Sequence, residues 1–445
     1  MRRHLLVLSA ALVTVIAAPA VAAQAASPAS SHPSSAASSS GAEHQLSRAG
    51  SVPALVPGFG TKGKLRLDVA ARSNWGNAVV RSGKRLYVGG VVGWDNKYAW
   101  SSLTALRLDG SRLRSFGRNG TVLLKKGYNG IADLAALPDG KILAAGFQDG
   151  RTVVRRFRPD GRLDRSYGTG GTATIKVGRA LVGGDPHLAL DGGGRAFVTY
   201  DVTTTNGGLV GYLVRLTRNG AVDTSFRHGG VQLQAGHSAR PMALTVDPSG
   251  RPLVALMTYW KQNRTGAVQL RRFTTSGAAS ASSAWQVQPG PAGTTATGLD
   301  VDVQGRVTLG LTGVTNAAIG VVRLNDDFTP DATYGAGTGI FKGRCVTGCG
   351  VGSLLTPQGE LFYGALLAAN QQSFDRAYLA RVSTDGAGLD PSFGSHGEWF
   401  RSLWRGSEDT RDAALVGHHL YTVGSVQAPR RAGGQDIWLA EYTVS

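Results

Sequence analysis

Residues 137–171 read LPDGKILAAGFQDGRTVVRRFRPDGRLDRSYGTGG. A tight Pro-Asp-Gly turn at 138–140 opens onto KILAAGF, an Asp-Gly pair follows, and TVVRRFR runs back. Apolar stretches of this length bounded by Asp-Gly pairs are the signal of a β-hairpin. The remaining FRPDGRLDRSYGTGG (157–171) has glycines for turns and a lone aromatic before its Gly, and the chain keeps rewriting it. LTRNGAVDTSFRHGG stands at 216–230 and VSTDGAGLDPSFGSHG at 382–397, with weaker copies LRLDGSRLRSFGRNG at 106–120 and LNDDFTPDATYGAGTG at 324–339. Aligned on the residue after Phe or Tyr, the copies fall at Gly60, Gly117, Gly168, a drifted Arg227, a degenerate copy near Trp285, Gly335 and Gly394. Their spacing of about 50 to 59 residues, in a Gly-punctuated chain rich in short strands, points to propeller blades.

Each unit parses into four strands. In the second these are Thr121 to Lys125, LAAL before Pro138, Lys141 to Phe147 and Thr152 to Arg158. The tight turn recurs as RSGK at 81, GGGR at 192, PSGR at 248, VQGR at 303 and PQGE at 357. One further unit fits after Gly394, so the expected fold is all-β, a β-propeller of seven four-stranded blades over residues 57–445. A feature written into every blade is more economically a scaffold device than a site. Its glycines permit positive-φ turns, and its Phe or Tyr plugs the space between blades. GAGTG at 335–339 is then a copy of that fastener and not a phosphate loop, because no helix pattern follows it.

The stretch at 137–171 resembles the delta-60 repeat, a secreted bacterial repeat assigned to β-propellers. The likeness runs over 57–445, closely in units two, three and seven and poorly near Ser276 to Pro291. It implies the fold and export, and it implies no activity.

Residues 1–25, MRRHLLVLSAALVTVIAAPAVAAQA, have a short basic start, an apolar run and small residues at A-x-A spacing. That composition predicts a secretory signal peptide. Residues 26–56, rich in Ser and Ala, read as a flexible linker. An extracellular or cell-envelope location follows as the expectation. In that setting Cys345 and Cys349 are expected to form a local disulfide, two thiols being short of a tetrahedral metal set.

Arginine recurs on the fourth strand of the units, at Arg107, Arg156, Arg215, Arg272, Arg323 and Arg381, with Glu441 in the last. Aspartates recur in the fastener, at Asp164, Asp223, Asp331 and Asp390. A guanidinium holds a carboxylate or strand-end carbonyls through parallel bonds, so these are expected to be structural clamps. They temper the net charge of +18, because part of the excess sits in scaffold positions. The rest favours anionic polymers, while the absence of aromatic residues interleaved with Lys and Arg argues against a specific nucleic-acid track.

Function is expected where the units disagree, in loops on a rigid scaffold. Fasteners and tight turns emerge on one face, and variable loops on the other. Trp75, Trp94, Tyr98, Trp100, Tyr128, Tyr259, Trp260 and Trp404 fall on the variable face beside amides and carboxylates. Such rings stack on sugar C–H faces, and they serve equally to pack long loops. The expectation is a monomeric, non-catalytic binding module, without cofactor, for glycan or anionic envelope polymer. The alternatives are a polysaccharide hydrolase or lyase and a structural or protein-interaction scaffold. Asp133, Asp185, Glu408, Asp409 and Asp412 lie near the expected axis, where two carboxylates at controlled separation would serve a glycosidase. The sequence singles out no pair of them, and it has no HExxH, G-x-S-x-G or calcium-loop motif.

Overall fold

The structure is a computed structural model. It describes residues 53–444 apart from 71, 94–98, 177–185, 205–207, 234–237, 260–265, 287–293, 314–317, 345–351, 368–373, 405–407 and 429–433. Among the described residues the chain is strand and turn throughout, interrupted by a single 3-10 turn at Arg227–Gly229.

Neighbouring strands pair antiparallel into seven sheets. The first blade runs Asn74–Ser82, Arg85–Val92, Trp100–Arg107 and Thr121–Leu124 from inner to outer edge. Five more, at 129–174, 187–232, 238–286, 294–344 and 352–401, repeat the order. The seventh begins with Glu408–Val416, His419–Gln427 and Gln435–Thr443. The first strand of each sheet packs on the first strand of the next, round the whole set and back to the start, so the ring is closed about an axis lined by these strands. Apolar layers fill the gaps between sheets; Ala78, Tyr87, Leu103 and Phe116 of the first blade bury against Ile131, Leu134, Ile142 and Phe157 of the second.

The sequence unit and the blade differ in phase by one strand. Thr121–Leu124, the first strand of a unit, is the outer strand of the blade before it and pairs with Ser101 to Thr104. The shift also closes the ring. Lys64–Leu67, near the N-terminal end, pairs with the last strand from Lys64↔Ala440 to Leu67↔Ile437 and completes the seventh blade. Ala54–Leu55 extends the same edge, opposite Thr443 and Tyr442.

The fastener links blades through the backbone. The N–H of Gly60, Gly117, Gly168 and Gly335 donates to the carbonyl of Asp109, Asp160, Asn219 and Asp385 respectively, each in the neighbouring blade's turn. At Gly60, Gly117 and Gly168 φ is +53°, and an added Cβ would stand 2.2–2.5 Å from the carbonyl oxygen four residues on. Only glycine meets both demands. The aromatics before these positions, Phe59, Phe116, Tyr167, Phe226, Tyr334 and Phe393, are buried. The copy near Trp285 is absent rather than degenerate. The fourth blade turns through 274–278 straight into Ala279–Gln286, where Trp285 pairs opposite Leu270.

Arginine and aspartate meet in four blades. Arg156 Nε donates to Asp164 Oδ2 (2.9 Å), Nη2 to Ser166 Oγ (2.9 Å), and Nη1 to the Arg218 carbonyl of the next blade (2.6 Å). Its guanidinium lies 4.7 Å from the centre of the Tyr167 ring. Arg215, Arg323 and Arg381 repeat this with Asp223, Asp331 and Asp390, each also reaching a carbonyl about 60 residues further on. Burial would raise the Asp164 carboxyl, but the Ser166 hydrogen bonds and the Arg156 charge hold it at about 2. Arg272 has no fastener aspartate in its own blade and takes Asp326 Oδ1 of the next at 2.8 Å. Glu441 instead accepts from the Tyr421 hydroxyl (3.1 Å).

Arg107 is a correction. Leu106 bridges Arg112 as Phe157 bridges Leu163, which puts Ala105, not Arg107, at the clamp position. Leu113 stands where Asp164 stands, its N–H on the Ala105 carbonyl as that of Asp164 is on Arg156. An apolar pair replaces the ion pair here. Arg85 Nη1 takes over the cross-blade bond, to the Pro159 carbonyl (3.1 Å).

Candidate functional site: the axial cavity

Five of the seven inner strands slip by one residue against their partner strand. The skipped residues are Asn77, Ala132, Met242, Thr297 and Arg411. A bulge leaves one residue unpaired and re-aims its side chain. All five line a cavity of about 370 Å³, together with Asp133, His187, Arg240, Tyr363 and Asp412. The slips fall near the middle of each inner strand, so the cavity lies part-way along the axis.

Polar groups from several blades converge there. Arg240 has no acceptor among the described residues, whereas Arg411 Nε donates to Asp409 Oδ2 (2.9 Å). Asn77 Nδ2 donates to the Ile131 carbonyl (2.8 Å), tying the first blade to the second. Tyr363 comes from a second strand, its ring passing where a Cβ on Gly352 would stand, 2.0 Å from Cζ.

The two cavity aspartates are pins between blades. Asp133 Oδ2 accepts from Leu188 N–H of the third blade (2.7 Å) and Oδ1 from Leu134 N–H (2.7 Å). Asp412 Oδ2 accepts from Val79 N–H of the first blade (2.7 Å) and Oδ1 from Ala413 N–H (2.8 Å). Burial pushes Asp133 up to about 6, against those two N–H bonds. Burial, and then the charge of Asp133, pushes Asp412 up to about 7, against its N–H bonds and the Tyr363 hydroxyl. A carboxyl whose pKa is higher folded than unfolded stabilises the fold below its unfolded pKa, near 4, and loses that contribution as pH rises through the folded value. Urea midpoints are therefore expected to fall between pH 5 and pH 8, and to fall less in Asp412→Asn. Equal slopes in both proteins would contradict this.

Of the other carboxylates named from sequence, Glu408 accepts from Leu403 and Trp404 N–H (3.3 and 3.1 Å), and burial raises it to about 7 against these bonds. Asp409 accepts from Ser425 N–H (2.6 Å) as well as Arg411. Asp185 lies outside the described residues, as do Trp94, Tyr98, Trp260, Cys345 and Cys349.

Of the aromatics named from sequence, the four with described rings do not line this cavity. Trp100 lies between Arg72 and Lys125, at 5.2 and 5.0 Å, and Trp404 between Lys64 and Arg66, at 4.5 and 4.9 Å. Tyr128 packs against Phe147 with ring centres 6.0 Å apart. Trp75 is half-buried within Asn74–Ser82. Tyr259 ends the strand Pro252–Tyr259, and its side chain is outside the description. The four described rings thus sit in or beside separate blade connections, two of them under cations, a packing role that suits amphipathic rings. Among the described residues no three His, Cys, Asp or Glu side chains gather as metal ligands. No helix there is long and apolar enough to cross a membrane.

Comparison with known proteins supports a propeller repeat. Residues 137–167 and 199–226 match a family described as a domain of unknown function (DUF5122) beta-propeller. No curated protein matches the chain. Among solved structures, a protein of unknown function from Dyadobacter fermentans DSM 18053 is similar at 12% identity and TM-score 0.46, over 88% of this chain and 100% of that one. A subtype N11 neuraminidase-like protein of A/flat-faced bat/Peru/033/2010 (H18N11) is 13% identical at TM-score 0.42, covering 86% and 94%. A polysaccharide lyase of family PL25, an ulvan lyase, is 11% identical at TM-score 0.41, covering 73% and 80%.

Proposed function

We propose that the protein is an exported binding module that holds an acidic glycan in the axial cavity. The observation that carries this reading is Arg240, a guanidinium without a protein acceptor among the described residues, lining a cavity of about 370 Å³ with amide and hydroxyl groups around it. Arginine pairs with carboxylates through two parallel hydrogen bonds, and a few convergent polar groups in a concave site fix a ligand's orientation. The leader-like residues 1–25, the Ser-rich tether and the delta-60 resemblance support export.

The Asp412 carboxyl, raised toward neutrality beside the Tyr363 hydroxyl, favours a second reading as a hydrolase or lyase. Titration of oligogalacturonate, a chain of acidic sugars, separates the two. Wild type is expected to bind without forming new chain ends, and Arg240→Gln to bind about tenfold or more weakly, the loss of one charge-assisted hydrogen bond. Unchanged binding in Arg240→Gln would overturn the cavity assignment. Turnover abolished by Asp412→Asn would establish the enzyme instead.

A further inference from the structure

The first blade carries a second concavity, of about 810 Å³, lined by Arg107, Ser111, Arg112, Arg114 and Asn119. It is built on the connection between the third and fourth strands, on the face opposite the inter-blade connections. Its origin lies in the departure already described. With Ala105 and Leu113 in place of the clamp arginine and aspartate, no fastener carboxylate here is hydrogen-bonded to an arginine among the described residues, although the charge of Arg107 helps hold Asp109 ionised. Arg112 occupies the bridge position that the second, third, fifth and sixth blades give to Leu163, Val222, Pro330 and Leu389. An apolar position has become cationic in this blade.

The three guanidiniums are held to different degrees. Arg112, half-buried at the base, donates Nη1 to Thr121 Oγ1 (3.2 Å) and Nη2 to the Asp68 carbonyl (2.7 Å). Arg107 is exposed and uses only Nη1, on Ser111 Oγ and the Arg112 carbonyl, both at 3.2 Å. Arg114 is exposed and has no acceptor among the described residues. The acids nearby are Asp109, whose Oδ1 is occupied by Ser111 N–H (2.8 Å), and Asp68, which lies close enough to Arg112 to favour its charged form. Cations therefore outnumber acids, and the unspent N–H groups belong to Arg107 and Arg114.

We propose that this concavity binds a tetrahedral oxyanion, a phosphate or sulfate group, held by Arg107 and Arg114 over Arg112 with Ser111 and Asn119 at its edge. Three donors from different directions suit a tetrahedral dianion better than a planar monoanion. The width of the concavity leaves room for the carrier of that group. The site is separate from the axial cavity and stands independently of the function proposed for it.

Calorimetric titration with inorganic phosphate, inorganic sulfate and acetate at low ionic strength tests this on three proteins. Wild type is expected to bind one phosphate or sulfate per chain and acetate about tenfold or more weakly. The double variant Arg112→Leu/Arg114→Thr installs residues that other blades carry at these positions, Leu163 and Thr224, and is expected to melt near wild type while losing that binding. Arg240→Gln is expected to bind phosphate as wild type does. Should the double variant fail to fold, Arg114→Thr alone, a surface change, is expected to weaken binding about threefold or more. Absence of a phosphate or sulfate isotherm in wild type, or undiminished binding in the Arg114 variants, would overturn the site.

Discussion

Replacing Arg156 with alanine is expected to destabilise the fold by about 3 kcal/mol, and adding Asp164→Leu to restore most of that loss. Removing Arg156 takes the shorter of two cation contacts from the buried Asp164 carboxylate, leaving Lys141 Nζ at 3.3 Å, and unpairs the Arg218 carbonyl of the next blade. A buried charge stripped of its partner is costly, whereas an apolar pair of matched size can replace the whole ion pair almost without cost. The chain contains its own precedent, since the first blade folds around Ala105 and Leu113 at the same two positions. A double-mutant cycle by urea unfolding measures the coupling. If the two single losses simply add in the double variant, the clamp is not a unit.

A chain that begins at Asp68 is expected to lose cooperative melting. Such a chain lacks Lys64–Leu67, the outer strand of the seventh blade, and it lacks Phe59, which fits between the seventh and first blades. The other blades draw their outer strand from the residues that follow their third, so only here does one connection join the two ends of the chain. Phe59→Ala tests the plug without removing the strand, and is expected to cost about 3 kcal/mol through the cavity it leaves. Differential scanning calorimetry reads both. A truncated chain melting as sharply and as high as the longer one would show that the N-terminal strand does not lock the ring.

Much of this architecture was legible in the repeat. The glycine after Phe or Tyr marked a backbone conformation only glycine takes freely, and its N–H stitches one blade to the next at Gly60, Gly117, Gly168 and Gly335, with Arg227 taking the same place in the third blade. The phase of the repeat was not legible, because an antiparallel strand returning after a fastener looks the same whether it closes one blade or opens another. Arg107 was misplaced for a related reason: it stands two positions after Ala105, on the same face of the strand, and the arginine was the more conspicuous. The axial site was visible only in part. Asp133 and Asp412 were placed near the axis, but Asn77 and Thr297 reach it through bulges, and Arg240 stands two residues ahead of one.

A bulge leaves no residue type as its mark, yet a signal was present one strand away. Gly90, Gly146 and Gly424 sit where an added Cβ would come within 2.0 Å of the carbonyl oxygen of Trp75, Gly130 and Asp409, just ahead of each slip. Glycines in the interior of otherwise apolar second strands were the trace of the crowding. The aromatic residues misled in the opposite direction. The cations that cover Trp100 and Trp404 in the fold, Lys125 and Lys64, are near them only in space.

The axial assignment meets its most direct test in hydrogen exchange of wild type with and without oligogalacturonate. Slowed exchange concentrated in Ser238–Val246 and Glu408–Val416, with no change in the turns of the opposite face, is the predicted result. Ligand that binds yet leaves those two inner strands exchanging as before would place the glycan elsewhere and contradict the account.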